Sequence, residues 1–370
     1  MAKKLFNQIQ FVTDRNRVVG ELPVGCRLCL KGAKAVIFVT GLCPVTPPCY
    51  YCPISVEKHG KDEPFIYVNE RKTFNIDEII VECEKMDAEG ASISGGDPLT
   101  RLDRSLQIIQ DLKAIFGEQF HIHLYTTGLS ANKKSLEALH DVGLDEIRFH
   151  TVDKLTKEAI QMALEYTSWA VGVEIPAIPG ELETIKENMR FLDEINNNFM
   201  NINELELSES NYRRLLARGF VEDKDRPFTV IDSEKTALKA LEWGATHTHL
   251  TIHYCSASTK DGVQLKNRLI RTAKKTARPY HEITEEGLLV VGIIVPDRAN
   301  SSLRTAARLL REMFGIPKKL IFIHPTKKRI ETRWDIVETF APFFKKKGFS
   351  CAIVEQYPTV DELQTTYLPL

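Results

Sequence analysis

Long apolar runs are missing from this 370-residue chain. The longest, near Gly287 to Val295, falls far short of a membrane span, and no charged-then-apolar leader opens the sequence. A surplus of one charge is missing too: the formal net charge is −1, so the chain as a whole is neither a polyanion nor a polycation. Nothing points to an oxidising compartment either. The eight cysteines, five of them packed between residues 26 and 52, suit metal binding in a reducing compartment better than a disulfide framework. With 43% apolar residues, the expectation is a folded cytoplasmic protein with one barrel-sized domain and a smaller one.

Three of the cysteines, Cys43, Cys49 and Cys52, lie in GLCPVTPPCYYCPIS, with five residues in the first gap and two in the second. Three thiolates on one tight loop can hold a cubane iron–sulfur cluster by three of its four irons, leaving one iron open to a small chelating ligand. A structural zinc site is the alternative, but it wants four protein ligands, and this loop offers three with no histidine inside it. Further along comes Ala91-Ser92-Ile93-Ser94-Gly95-Gly96-Asp97-Pro98-Leu99, a β-type run ending in two glycines, an acid and a proline. Glycines let backbone approach a ligand without a Cβ in the way, and Asp97 is an acceptor for a cationic amine. The same residues also make an ordinary strand-to-helix turn.

Together, a three-cysteine loop followed by a strand ending in GGDP resembles the radical S-adenosylmethionine (radical SAM) superfamily over roughly residues 35 to 210. The resemblance implies a [4Fe-4S] cluster on Cys43, Cys49 and Cys52, with the segment Gly95, Gly96, Asp97 and Pro98 holding the amino group of SAM. It implies that Tyr51 lies near the adenine, and that the run from Gly172 to Gly180 supports that ring. The commonest family pattern has three residues in the first gap; the five found here are similar to the radical SAM enzyme of iron-only hydrogenase cofactor maturation. The whole chain resembles an archaeal group described as related to pyruvate formate-lyase activating enzymes.

Read for period and punctuation, strand-like runs fall at 35–40, 91–94, 121–126, 146–150, 170–175 and 203–208, with helical patterns at 76–86, 104–116, 133–141, 155–166 and 182–195. A further helix at 233–241 leads to a strand-like run at 246–254. Six β/α units in series imply a parallel sheet, matching the partial (β/α)6 barrel of the resemblance, with both motifs at the strands' C-terminal ends. Thr126, Thr127, Arg148, His150, Glu174, Glu206 and Ser208 are the other polar residues expected at that edge. Alternation sets Arg148 and His150 against the apolar Ile147 and Phe149, so the polar pair points into the barrel if the apolar pair meets the helices. Thr126, Arg148, His150 and Glu174 are therefore candidate SAM-binding residues.

Beyond the barrel, the runs at 288–295, 301–314, 320–324, 329–331, 334–347 and 350–355 follow the order β-α-β-β-α-β, a ferredoxin-like α+β domain. The expected divisions are an N-terminal extension at 1–33, the barrel at 34–256, a basic helical linker at 257–285 and the ferredoxin-like domain at 286–370. Cys83 and Cys351 sit in apolar patterns and are expected in the core.

Cys26 and Cys29 form a two-residue-gap pair, and Cys255 ends the seventh strand-like run beside His253. With His253 or a substrate atom, the three cysteines are candidate ligands for zinc or a second iron–sulfur cluster. Buried inert thiols are the alternative, as is a role for Cys255 in accepting a methyl group or quenching a radical. Residues 257–350 carry 20 Lys and Arg against 9 Asp and Glu, among them Lys318, Lys319, Lys327, Lys328, Arg329, Arg333, Lys345, Lys346 and Lys347. Clustered cations attract a polyanion, although lysine-rich faces are also simply solvated.

The resemblance implies that a one-electron donor reduces the cluster and that SAM is cleaved to a 5′-deoxyadenosyl radical. RNA modification, tRNA above all, is the first expectation for the target. A cofactor precursor or a protein residue is the alternative, and a non-catalytic metal-containing RNA-binding protein is the third. No cobalamin-binding domain is apparent.

Overall fold

The computed structural model describes residues 8–166, 168–297 and 302–370. Two compact units divide the chain: residues up to 264 without 85–87, and residues 265–370 with 85–87.

The first unit opens with β1 (Ile9–Phe11), β2 (Arg17–Val19) and α1 (Val24–Leu30), then β3 (Lys34–Phe38), β4 (Ile66–Val68), β5 (Arg71–Thr73) and α2 (Ile76–Lys85). It continues through β6 (Gly90–Ser94), α3 (Leu102–Phe116), β7 (His121–Thr126), α4 (Lys133–Asp141), β8 (Glu146–Phe149) and α5 (Lys154–Ala163). Then follow β9 (Ala170–Ala177), α6 (Leu182–Glu194), β10 (Phe199–Glu204), α7 (Tyr212–Leu216), α8 (Ser233–His247), β11 (Thr251–Cys255) and the single turn α9 (Ala257–Thr259). The sheet order is β1-β2-β11-β10-β9-β8-β7-β6-β3-β4-β5. Its centre, from β3 through β6 to β11, is seven parallel strands joined by six β/α units, the architecture of a partial (β/α)6 barrel closed by one more strand.

Every central strand shows one face to the helices and one to the interior. On β8, Ile147 and Phe149 are wholly buried, each burial stabilising the fold by about 2 kcal/mol. The alternate residue Arg148 meets Glu174 of β9 and Tyr125 of β7. The same alternation turns Asn201 and Asn203 of β10 toward Glu174.

Three boundaries differ from the sequence expectation. The sixth parallel strand is at Phe199–Glu204 rather than 203–208. Its interior asparagines mask the strand period, while Leu205 and Leu207, which join a separate apolar cluster with Leu215 and Val230, imitate one just beyond it. Helix α8 runs six residues past 241 to His247, and β11 starts only at Thr251. Thr246 and Thr248, strand formers by propensity, instead donate to the carbonyls of Trp243 and Gly244 in the last helical turn. Finally, residues 1–33 are not a separate extension: β2 pairs antiparallel with β11, Val19 opposite Ile252, and α1 packs on β3, β6 and β7.

The second unit holds α10 (Lys266–Thr276), β12 (Glu282–Ile283), β13 (Leu289–Pro296), α11 (Leu303–Glu312), β14 (Phe322–Ile323), β15 (Ile330–Thr332), α12 (Trp334–Lys346), β16 (Phe349–Gln356) and β17 (Gln364–Pro369). The basic helix expected as a linker therefore belongs to this unit, and the division falls after Gln264 rather than at 256. The antiparallel order β14-β15-β13-β16 is that of a split βαβ fold, with β17 added at one edge. Ile294, Leu310, Val337 and Phe344 are buried in its core, as is Cys351, while Cys83 is buried in the first unit. The expected start of α11 at Ser301 lies outside the described residues. No described helix is long and apolar enough to cross a membrane.

Candidate active site

The loop after β3 carries Cys43, Cys49 and Cys52, all partly exposed and none in a disulfide. Backbone contacts fix it against the end of β6: Gly96 N–H donates to the Thr40 carbonyl at 2.8 Å, and Asp97 N–H to the Leu42 carbonyl at 2.7 Å. The glycines permit this approach. A Cβ on Gly96 would stand 2.2 Å from the Leu42 carbonyl oxygen, and one on Gly41 only 1.7 Å from that of Lys58. The Gly-Gly pair thus admits the cysteine loop itself, where the sequence suggests room for a ligand.

Asp97 also differs from expectation. It is fully buried, and its carboxylate accepts from the Thr126 hydroxyl, from both the backbone and hydroxyl of Thr127, and from Leu99 N–H. Through these bonds Asp97 ties the end of β6 to the end of β7. The same knot takes up the Thr126 hydroxyl, which also accepts from Gly128 N–H. Pro98 starts the 3₁₀ turn Pro98–Arg101 that Asp97 caps, a position where its missing N–H costs nothing.

Opposite this knot, three residues that carry no sequence signal hold the loop. Arg214 donates to the carbonyls of Cys49 and Cys52, each at 3.2 Å, Asn211 donates to that of Tyr51 at 3.0 Å, and Ser210 to that of Cys52. The Tyr51 hydroxyl bonds Cys49, and its ring lies 5.8 Å from that of His150. His150 continues inward to the Glu174 carbonyl, and burial lowers the pKa of its imidazole. Of the two rim residues, Glu206 pairs with Lys260, and Ser208 bonds Ser210 and Asn211.

The barrel interior holds a cavity of about 120 Å³ lined largely by polar side chains and cysteines. Glu174 organises one wall: Arg148 reaches it at 2.7 Å, Asn201 at 2.8 Å and Asn203 at 2.9 Å. Burial raises its pKa, but the Arg148 charge and the asparagine donors outweigh this and hold it down at about 2. The cavity also brings together Cys26, Cys29, Cys255 and His253, from the two ends of the first unit. Burial raises the Cys26 thiol pKa and pushes Cys255 up to about 12, against the charge of Arg148 and Lys260 respectively; burial lowers His253 to about 4. Cys26 and Cys255 stand out in the sequence, but Asn201, Asn203, Lys260 and Gln264 do not.

The donor set can be tested against zinc. Tetrahedral Zn–S bonds of about 2.3 Å place sulfurs about 3.8 Å apart. Among the described residues, the only trio of His, Cys, Asp or Glu ligand atoms within 4.8 Å of one another is His324, Glu331 and Glu362 in the second unit. Its charges are already met by Arg329, at 2.6 Å from Glu331, and Lys327, at 2.9 Å from Glu362. The wider spacing on the cysteine loop suits a cluster, whose thiolates sit on different irons.

Comparison with known proteins agrees with this geometry. The radical SAM superfamily profile matches residues 37–151, and a family described as a domain of unknown function (DUF8061) matches residues 287–370. A Methanocaldococcus jannaschii protein, whose description proposes a glycyl-radical enzyme activating enzyme, is 39% identical over 364 residues, spanning 95% of this chain and 93% of that protein. Among solved structures, Streptococcus suis SuiB bound to S-adenosylmethionine has a TM-score of 0.43 at 10% identity, covering 60% of this chain, which spans 50% of SuiB. Coproporphyrinogen III oxidase of Escherichia coli has a TM-score of 0.35 at 10% identity, covering 92% of this chain and 71% of its own. With its cysteine loop after the first parallel strand, its Gly-Gly turn after the second and a near-full-length relative at 39% identity, the chain belongs to the radical SAM superfamily, whose enzymes bind SAM and a [4Fe-4S] cluster.

Proposed function

We propose that this radical SAM enzyme takes a hydrogen atom from a small polar group, on a peptide or a small molecule, presented in the barrel cavity beneath the cysteine loop. Cys43, Cys49 and Cys52 would hold the cluster, which when bound and reduced would supply the electron for reductive cleavage of SAM to a 5′-deoxyadenosyl radical. The chain's own residues do the rest. Arg214, Asn211 and Ser210 fix the loop through its carbonyls. The rings of Tyr51 and His150 lie 5.8 Å apart beside the loop, and Glu174 holds Arg148, Asn201 and Asn203 in place on the cavity wall. Walls of buried side chains keep the target's position fixed and limit hydrogen abstraction from unintended C–H bonds.

The observation that carries this reading is the cavity, which is small and lined by the polar side chains of Glu174, Arg148 and Asn203 among others. The description of the M. jannaschii relative points the same way. A reducing cytoplasm fits eight free cysteines. The test is anaerobic: reduced protein with SAM releases 5′-deoxyadenosine, and a peptide deuterated at glycine Cα, or a set of small deuterated amino acids, transfers deuterium into it. Release of unlabelled product from every such substrate would sink the reading.

RNA modification is a second reading, favoured by one surface. Lys318, Lys319, Lys328 and Lys345 to Lys347 are exposed on the second unit, a set of cations of the kind that binds phosphates. Against it, Arg329, Lys327 and Arg333 are spent on Glu331, Glu362 and Asp335.

A further inference from the structure

The three cysteines outside the SAM-site loop meet inside the barrel. Helix α1 presents Cys26 and Cys29 from two positions three residues apart, so both face one side of the helix, and β11 brings Cys255 to the same cavity. Helix α1 fits there because Gly25 has no side chain: a Cβ on it would stand 2.5 Å from His123 Nδ1 and 2.7 Å from the Arg148 guanidinium.

Three further observations point to an occupant. His253 is 2% exposed, lines the same cavity, and has no hydrogen-bond partner at either ring nitrogen among the described residues. A buried polar group left unsatisfied costs about 1–3 kcal/mol, so it implies a missing partner. N–H donors reach two of the three sulfurs: Asn201 Nδ2 reaches Cys26 Sγ at 3.3 Å and Arg148 reaches it at 3.4 Å, while Asn16 Nδ2 and Gln264 Nε2 reach Cys255 Sγ at 3.7 and 3.8 Å; the Cys29 thiol instead donates to Gln264 Oε1 at 3.0 Å, a bond that metal binding would replace. Donors gathered on sulfur are how proteins stabilise thiolate bound to metal. Lastly, Lys34 is 6% exposed; it donates to the Gly25 carbonyl at 2.9 Å, lies 3.1 Å from His123 Nε2 and makes no ion pair among the described residues; burial lowers its pKa, and an anionic occupant beside it would favour its charged form.

We propose that Cys26, Cys29 and Cys255, with His253 as fourth ligand, hold a second iron–sulfur cluster within the barrel of this enzyme. A single zinc ion fits less well. No three of these ligand atoms are gathered within 4.8 Å, whereas zinc needs sulfurs about 3.8 Å apart, and a cavity of about 120 Å³ exceeds what one ion needs. The cluster shares this one cavity with the target group, taking the side lined by Cys26, Cys29, Cys255 and His253 and leaving the side lined by Glu174 and Asn203. It is placed to bind that group or to take an electron from the radical formed on it, itself being reduced. This placement rests on the proposed function, but the existence of the cluster does not.

The test separates the two. A variant with Cys43, Cys49 and Cys52 all replaced by Ala, reconstituted anaerobically with iron and sulfide, is expected to retain about four irons per chain where the wild type holds about eight. Its electron paramagnetic resonance spectrum after reduction should not change when SAM is added. In that background, Cys26→Ser and Cys255→Ser each remove the signal, and His253→Gln, which preserves the thiols, shifts it. Melting temperatures of the metal-free proteins within a few degrees of one another separate ligand loss from misfolding. A triple variant that folds but binds no iron, or binds only zinc, overturns the proposal, as does a signal that survives both serine substitutions.

Discussion

Glu174 shows how one buried side chain sets a pH limit. Its pKa of about 2 lies below its ordinary value of 4.5, so its stabilisation is complete above 4.5 and is lost as pH falls from there toward 2, amounting to up to about 3 kcal/mol. Urea unfolding of the metal-free wild type should therefore weaken more steeply below about pH 5 than that of Glu174→Gln; parallel pH dependences would refute the assignment. Replacing Cys43, Cys49 or Cys52 singly by Ala should reduce 5′-deoxyadenosine release from SAM by orders of magnitude, read by chromatography under reducing conditions. The cysteines are legible in the sequence because metal chemistry demands that residue type at close spacing. Asp97 is harder to read. As an acid beside two glycines it looks like a ligand-facing group, and its bonds to Thr126 and Thr127 on the next strand carry no signal in its own segment.

At the level of the element, the cysteine loop depends on what surrounds it. Gly41→Ala would place a Cβ 1.7 Å from the Lys58 carbonyl oxygen, displacing the loop. Overpacking of this kind costs about 1–3 kcal/mol, visible as a lower melting temperature together with weakened iron binding. Arg214→Ala leaves that packing intact but frees the carbonyls of Cys49 and Cys52. Iron should then pass to a chelator on the order of tenfold faster than from wild type, and equal rates would refute the clamp. Strands β7 and β8 and helix α4 are readable almost to the residue, since each has one uniform apolar face. Strand β10 is not: its interior face carries Asn201 and Asn203, which serve Glu174 rather than the core, and a functional interior erases the period that marks a strand. The hairpin β1–β2 is equally hidden, its strands of three residues each being too short to show alternation.

For the whole molecule, the uneven charge invites a nucleic-acid reading that ion pairing tempers. Bulk tRNA should bind weakly, with an affinity that falls steeply with salt. Lys345→Glu with Lys346→Glu and Lys347→Glu should lower the salt slope by about one for each phosphate no longer neutralised. Turnover of SAM should not respond to tRNA; stimulation by it would favour the second reading over the first. The pairing of Val19 with Ile252 reaches beyond architecture into synthesis. Strand β2 cannot take its final place until the seventh parallel strand has left the ribosome, and until then α1 has only part of its polar floor. Contacts of such long sequence separation form late and slowly, so the barrel should close only after translation is well advanced. Any cluster that bridges Cys26 and Cys255 would be inserted last and would lock the closed ring.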